Sequence, residues 1–202
     1  MPTLHHADGQ ADIHKVVVGP LDNNVFVLQC RDTGDAVLID AADEPERLLE
    51  LSRSLGVGMV LETHGHRDHI QAVPALRHAG YPVGIAAADA RMLADYDFVI
   101  EDGAVFEVGQ LRLHAMATPG HTPGSTCFHL EGSPLLFSGD TLFPGGPGAT
   151  GGDPDRFAAI ITAIEDRLFT LAPDTVVLPG HGEDTTIGAE QPHLSEWKQR
   201  GW

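Results

Sequence analysis

An α+β fold, two β-sheets packed face to face with helices on their outer surfaces, is the architecture the sequence predicts. Three observations carry it. Strand patterns separated by turn residues open each half of the chain, an amphipathic helical stripe follows them, and each half then runs a strand into a histidine-bearing loop. The 202 residues, 42% hydrophobic, suffice for one sizeable core, so a single domain over 1–202 is expected.

In the first half, Ile13 to Val18, Asn24 to Cys30 and Ala36 to Ala41 read as strands of a meander, divided by Gly19-Pro20 and Asp32-Thr33-Gly34 turns. Glu44-Pro45 starts a helix whose Leu48, Leu49, Leu51, Ser52 and Leu55 recur with a period near 3.6, and Gly56 ends it. Val57 to Glu62 is a buried strand leading into Thr63-His64-Gly65-His66-Arg67-Asp68-His69, which is expected to be an extended loop. A helix over Ile70 to His78, a strand over Val83 to Ala86 and a short helix over Asp89 to Leu93 complete this half. The second half repeats the plan with strands at Ala104 to Val108, Leu111 to Thr118, Thr126 to Leu130 and Leu135 to Ser138. One helix from Asp155 to Leu171 carries the stripe Phe157, Ile160, Ile161, Ile164, Leu168 and Leu171, and the strand Thr175 to Leu178 delivers Pro179-Gly180-His181. Between them, Phe143 to Pro154 holds five glycines and three prolines and reads as a loop beside Asp140, a candidate substrate loop.

Composition removes several function classes. With 12 Lys plus Arg against 29 Asp plus Glu, the surface repels phosphate backbones and anionic lipid, so neither nucleic acid nor a membrane is an expected partner. No apolar run reaches the roughly 18 residues of a membrane helix, and the polar residues from Met1 to Asp12 lack the pattern of an export signal. Cys30 and Cys127 both fall in apolar strand runs, which suits free thiols in a reducing cytoplasm.

The histidines carry the chemistry. His64-Gly65-His66-Arg67-Asp68-His69 places three imidazoles and a carboxylate within six residues, a pattern that chance would produce in roughly 0.4% of shuffled sequences of this composition. On an extended segment residues two apart face the same way, so His64 and His66 grip one ion while Asp68 and His69 address a second. Gly65 lets the backbone pass close by. Gly120-His121, Gly139-Asp140 and Gly180-His181 share one context, a ligand-type residue beside glycine just after a strand, which brings them to one edge of the sheets. Five histidines and two aspartates suit two borderline divalent ions sharing a carboxylate. His5, His6, His78 and His193 are read as polar surface, and His14, His114 and His129 as strand residues outside the site. Arg67 is expected to point away from the ions, either to an acidic partner that steadies Asp68 or to solvent.

The blocks THGHRDHI (Thr63 to Ile70), TPGHTPGS (Thr118 to Ser125), SGDTLF (Ser138 to Phe143) and PGHGE (Pro179 to Glu183), in this order, resemble the metallo-β-lactamase superfamily and within it the small glyoxalase II-like hydrolases. The resemblance implies an αββα sandwich of two mixed sheets with a dinuclear site at one edge. It assigns His64, His66 and His121 to the first metal, Asp68, His69 and His181 to the second, and Asp140 to the bridge. Zinc is the implied metal, iron or manganese the alternatives, and Asp68 and Asp140 are the candidate catalytic carboxylates. Glutathione-specific members carry a basic and an aromatic residue after the bridging aspartate's loop and a tyrosine two places after the last histidine, where this chain has Ala149, Gly151 and Glu183. They also possess a C-terminal helical domain, whereas this chain ends about twenty residues after His181. The resemblance therefore implies the metal centre without the glutathione contacts.

Two ions sharing a water lower its pKa from about 15.7 toward neutrality and supply a nucleophile for an ester-like carbonyl. A thiolate leaves with little acid assistance, which favours an acyl-thioester substrate over other esters, lactones and activated amides. A persulfide dioxygenase with one iron on His64, His121 and Asp140 is the alternative of another reaction class.

Overall fold

The computed structural model describes residues 3–201 and consists of four layers. The first sheet has seven strands in sequential order: β1 (Thr3–Ala7), β2 (Ala11–Val18), β3 (Asn23–Cys30), β4 (Ala36–Ile39), β5 (Val57–Leu61), β6 (Val83–Ile85) and β7 (Phe98–Val99). Its first four strands pair antiparallel, and β4 to β7 pair parallel. The second sheet is built from β8 (Val105–Val108), β9 (Leu111–Ala117), β10 (Thr126–Leu130), β11 (Leu135–Gly139), β14 (Val176–Pro179) and β15 (Thr185–Thr186), with only the β11–β14 pairing parallel. A small hairpin of β12 (Leu142–Phe143) and β13 (Gly146–Pro147) stands apart.

Between the sheets Ile13, Phe26, Leu28, Ile39 and Leu61 meet Leu113, Phe128, Phe137 and Leu178, all buried. The opposite face of the first sheet, with Val27, Leu38 and Val60, is covered by α1 (Pro45–Leu55) and α3 (Val73–His78) through Leu48, Leu51, Val73 and Leu76. β3 is therefore apolar on both faces, which explains why it shows almost no polar alternation. On the outer face of the second sheet, Cys127, Leu136 and Val177 pack against Ile160, Ile161, Ile164 and Leu168 of α4 (Pro154–Ala163) and its continuation. The two-sheet sandwich with outer helices is thus the architecture read from the sequence.

Several local expectations are corrected. Arg67, Asp68 and His69 are not extended: they form a single helical turn, α2 (Arg67–Ile70). The helix expected over Ile70 to His78 is broken, because Pro74 lies at the start of α3 and lacks the N–H that a continuous helix would use. The long second-half helix widens at Ile164–Leu168 into a π turn, which keeps Ile164 and Leu168 both on the core. The N-terminal residues read as polar surface contain β1, and the C-terminal stretch contains α5 (Ile187–Glu190) and α6 (Leu194–Arg200), whose Trp197 is buried in the second sheet's outer core. Part of the candidate substrate loop is the β12–β13 hairpin.

Candidate metal centre

The strands end where the site begins. β5 runs into Thr63 and His64, β9 leads to His121, β11 to Asp140 and β14 to His181, all at one edge of the sandwich. There the two sheets are stitched by backbone hydrogen bonds: Thr126 N–H donates to Thr63 O, and Asn24 N–H to Gly180 O, each at 2.8 Å. Gly180 has no room for a side chain, since a Cβ would collide with Asp140 Oδ1 and with His69 Cε1. Gly65 is likewise hemmed in, a Cβ there falling 2.8 Å from Met92.

All seven residues expected at the site come together. The ligand atoms of His64, His66 and His121 lie within 4.8 Å of one another, as do those of Asp68, His69 and His181, and those of His64, His69 and Asp140. His181 Nε2 is 3.2 Å from His69 Nε2 and 3.3 Å from Asp68 Oδ2. Asp140 reaches both groups, with Oδ1 3.6 Å from His69 Nε2 and Oδ2 3.4 Å from His121 Nε2. Two donors on a tetrahedral ion at 2.0–2.1 Å stand about 3.4 Å apart, so these are separations that an ion bridges. His64 Nε2, His121 Nε2 and Asp140 Oδ1 are buried and make no hydrogen bond, an arrangement that is unfavourable unless a cation faces them. The residues present therefore fit two divalent ions.

The outer nitrogens are tied down. His121 Nδ1 donates to Ala149 O at 2.8 Å, His181 Nδ1 to Leu21 O at 2.9 Å, His69 Nδ1 to Asp40 Oδ2 at 2.8 Å, and His64 Nδ1 to Thr63 Oγ1 at 3.0 Å. With Nδ1 held by its acceptor, each ring turns Nε2 inward. Burial holds the His64 imidazole well below its ordinary pKa of 6.5, helped by the neighbouring histidines. Burial alone would lower His69 too, but Asp40, with Asp140 and Asp68, lifts it to about 9.

Sequence reasoning missed the residues that hold the ligands. Asp40, just past β4 in a left-handed conformation (φ 64°), accepts from Thr63 N–H, Thr63 Oγ1 and His69. Beside it, burial and the charge of Asp40 keep the Glu62 carboxyl well above its ordinary range. Asp89, fully buried, accepts from Gly65 N–H, Thr122 Oγ1 and Gly124 N–H, so one carboxylate joins the His66 loop to the His121 loop. Asn23 Nδ2 donates to Asp68 Oδ2 at 3.0 Å. Arg67 does not take that part: it is exposed, bonds to no described residue, and faces a groove of about 620 Å³ with Pro74, Arg77 and Leu93. Asp40 escaped the rule that found Asp140, a carboxylate directly after a strand, because the expected strand ran on to Ala41, whereas β4 ends at Ile39 and leaves Asp40 just beyond it.

The sequence pattern of the metallo-beta-lactamase superfamily matches residues 18–181, which span every one of the seven candidate ligands. The chain belongs to the metallo-β-lactamase superfamily. Among its relatives in this superfamily, a protein named hydroxyacylglutathione hydrolase GloC from Haemophilus influenzae is 30% identical over 184 residues, covering 79% of this chain and 86% of GloC. Of solved structures, the B3 metallo-beta-lactamase BLEG-1 superposes with a TM-score of 0.81 at 29% identity, covering 90% of this chain and 97% of BLEG-1. TTHA1623, crystallised in a di-iron-bound form, superposes with a TM-score of 0.74 at 32% identity, covering 88% and 96%. As a superfamily member this chain is a metal-dependent hydrolase by descent, and no helix among its described residues is long and apolar enough to cross a membrane.

Proposed function

We propose that residues 1–202 act as one domain, a dinuclear thioester hydrolase of the glyoxalase II type, working in the cytoplasm on a small acyl-thioester. The observation that carries this reading is Asp140, whose Oδ1 faces His69 and whose Oδ2 faces both His121 and His181, so that one carboxylate stands between the two ligand groups. His64, His66 and His121 would hold one divalent ion and Asp68, His69 and His181 the other, with zinc preferred over iron or manganese for this donor set. Bound there, such ions supply Lewis acidity and bring the pKa of water toward neutrality.

The chain's own residues set the rest. Asn23 holds Asp68 in place, Asp89 keeps the two histidine loops in register, and the four Nδ1 donors prevent the rings from turning. Among the described residues, the hydrogen bonds that hold the ligand side chains from outside the set run to Asn23, Thr63, Asp40 and two backbone carbonyls, none of which offers a cationic acid to a leaving group. That favours thiolates, which depart unprotonated. Ala149, Gly151 and Glu183 offer no cation to an anionic tripeptide, so the thiol carrier is read as something other than glutathione.

The test is metal analysis of protein purified without added metal, followed by a panel of thioesters and lactones. Two zinc-like ions per chain and thioester turnover support the reading. One iron per chain with oxygen-dependent persulfide oxidation replaces it by the dioxygenase, and lactone turnover without thioester turnover by a lactonase.

A further inference from the structure

Neighbouring side chains on a regular strand face opposite sides of the sheet. Along β1 the pairing with β2 slips between Leu4 and His6, and this bulge accompanies a departure from alternation: His5 and His6 converge on one acceptor. Their rings meet edge-on, with centroids 4.6 Å apart and planes at 83°. Both Nε2 atoms stop 2.8 Å from the same atom, Asp184 Oδ2, on the segment between β14 and β15. The other carboxylate oxygen, Asp184 Oδ1, is buried and makes no hydrogen bond. Lys15 stands 3.9 Å from it, with its ammonium donating to Gly182 O at 3.0 Å.

We propose that His5, His6 and Asp184 form a separate site for one divalent cation of the zinc type, sharing no ligand with the centre described above. Two imidazoles and one carboxylate are a donor set for borderline ions, and the three ligand atoms lie within 4.8 Å of one another. The side chains are 26%, 32% and 22% exposed, so an ion enters from solvent and water completes its coordination. Donors now at hydrogen-bond distance must spread to about 3.4 Å around an ion, a shift of roughly half an ångström. Each neutral ring binds through Nε2 and keeps its proton on Nδ1, so the switch of tautomer alters no charge on the imidazoles. The Lys15 ammonium opposes the ion, which makes this site weaker than the centre, whose two ligand carboxylates, Asp68 and Asp140, pair with no lysine or arginine among the described residues. Filling it fastens the first strand of one sheet to the segment of the other that begins at His181.

Full-length protein is dialysed to equilibrium against micromolar Zn²⁺ and the bound zinc is counted per chain, for wild type, His5→Ala/His6→Ala, Asp184→Asn and Lys15→Met. Wild type is expected to hold one equivalent more than the double-histidine and Asp184→Asn variants, while Lys15→Met keeps that equivalent and binds it several-fold more tightly. Cobalt in place of zinc gives a second readout, a visible absorption component lost in the same two variants. Equal zinc in wild type and the double-histidine variant overturns the proposal, and that variant decides even where Asp184→Asn fails to fold. A Lys15→Met affinity equal to wild type places the ion away from Asp184 and overturns it as well.

Discussion

Asp140 is 11% exposed at its side chain and faces His69, His121 and His181 within 3.7 Å, so nothing else in the site can replace its charge. Asp140→Ala is expected to release at least one metal and nearly all turnover while the circular dichroism spectrum stays that of the folded chain. Retention of two metals at the wild-type rate would remove Asp140 from the centre. His69 sets the pH response. Its folded value of about 9 lies above the ordinary 6.5, so in the metal-free chain the protonated ring favours folding below 6.5, and this contribution fades as pH rises through about 9. An ion taking Nε2 at pH 7 must displace that proton. Calorimetry in buffers of different ionisation enthalpy should therefore show about one proton released from this ring and metal affinity rising with pH toward 9. Asp40→Asn removes the acceptor that fixes the His69 ring, and above pH 9, where the ring's proton no longer competes, it should weaken metal binding about 10- to 100-fold, as loss of such a partner commonly does. These ligands were legible because three histidines and an aspartate in six residues are rare. Their supports were not, since Asn23, Asp40 and Asp89 stand singly in the chain and acquire meaning only when distant segments meet.

Elements with strong periodicity were readable and short ones were not. The α1 stripe and its Gly56 stop, at φ 73°, match the expectation because eleven residues give the 3.6-residue period room to show. α2 has four residues and no period, so its helical turn was invisible, and the ligand grouping survived only because both conformations send Asp68 and His69 inward while Arg67 faces out. β1 was lost because Thr3–Ala7 carries two histidines and no fully buried residue. α6 was lost because Pro192 interrupts the C-terminal stretch before the helix starts. Its Trp197, 1% exposed, packs near Phe169, and a methyl group at Gly146, the first residue of β13, would lie 3.6 Å from its Nε1. Trp197→Ala is expected to cost about 3–5 kcal/mol in denaturant unfolding. A loss below about 1 kcal/mol would show that α6 is an appendage to the core.

Across the whole molecule, a formal charge of −17 surrounds a site whose own cations, once bound, are local. Anionic substrates are held off at a distance and neutral ones are not. S-lactoylglutathione is therefore expected to be a poor substrate, with KM above about 1 mM, and its kcat/KM should rise with added salt more steeply than that of an uncharged thioester. Equal salt responses would show that the long-range field does not reach the mouth of the site.

Every ligand group in the centre draws from both sheets: His64, His66, Asp68 and His69 follow a strand of the first, and His121, Asp140 and His181 follow strands of the second. An ion there acts as a removable rivet through one end of the sandwich, while the far end is closed by packing and by the side-chain hydrogen bonds from Ser133 Oγ to Asp8 and from Gln10 Nε2 to Glu131 O. At a free metal concentration of 1,000 times Kd, one such rivet is worth about 4 kcal/mol of folding stability. Chelation should lower Tm and raise amide exchange first at Asn24 and Thr126, whose N–H groups sew the sheets together, with Val108 and Leu111 unchanged. The catalyst and the fastener would then be the same ions, and starvation for metal would be felt as loss of protein before it is felt as loss of rate.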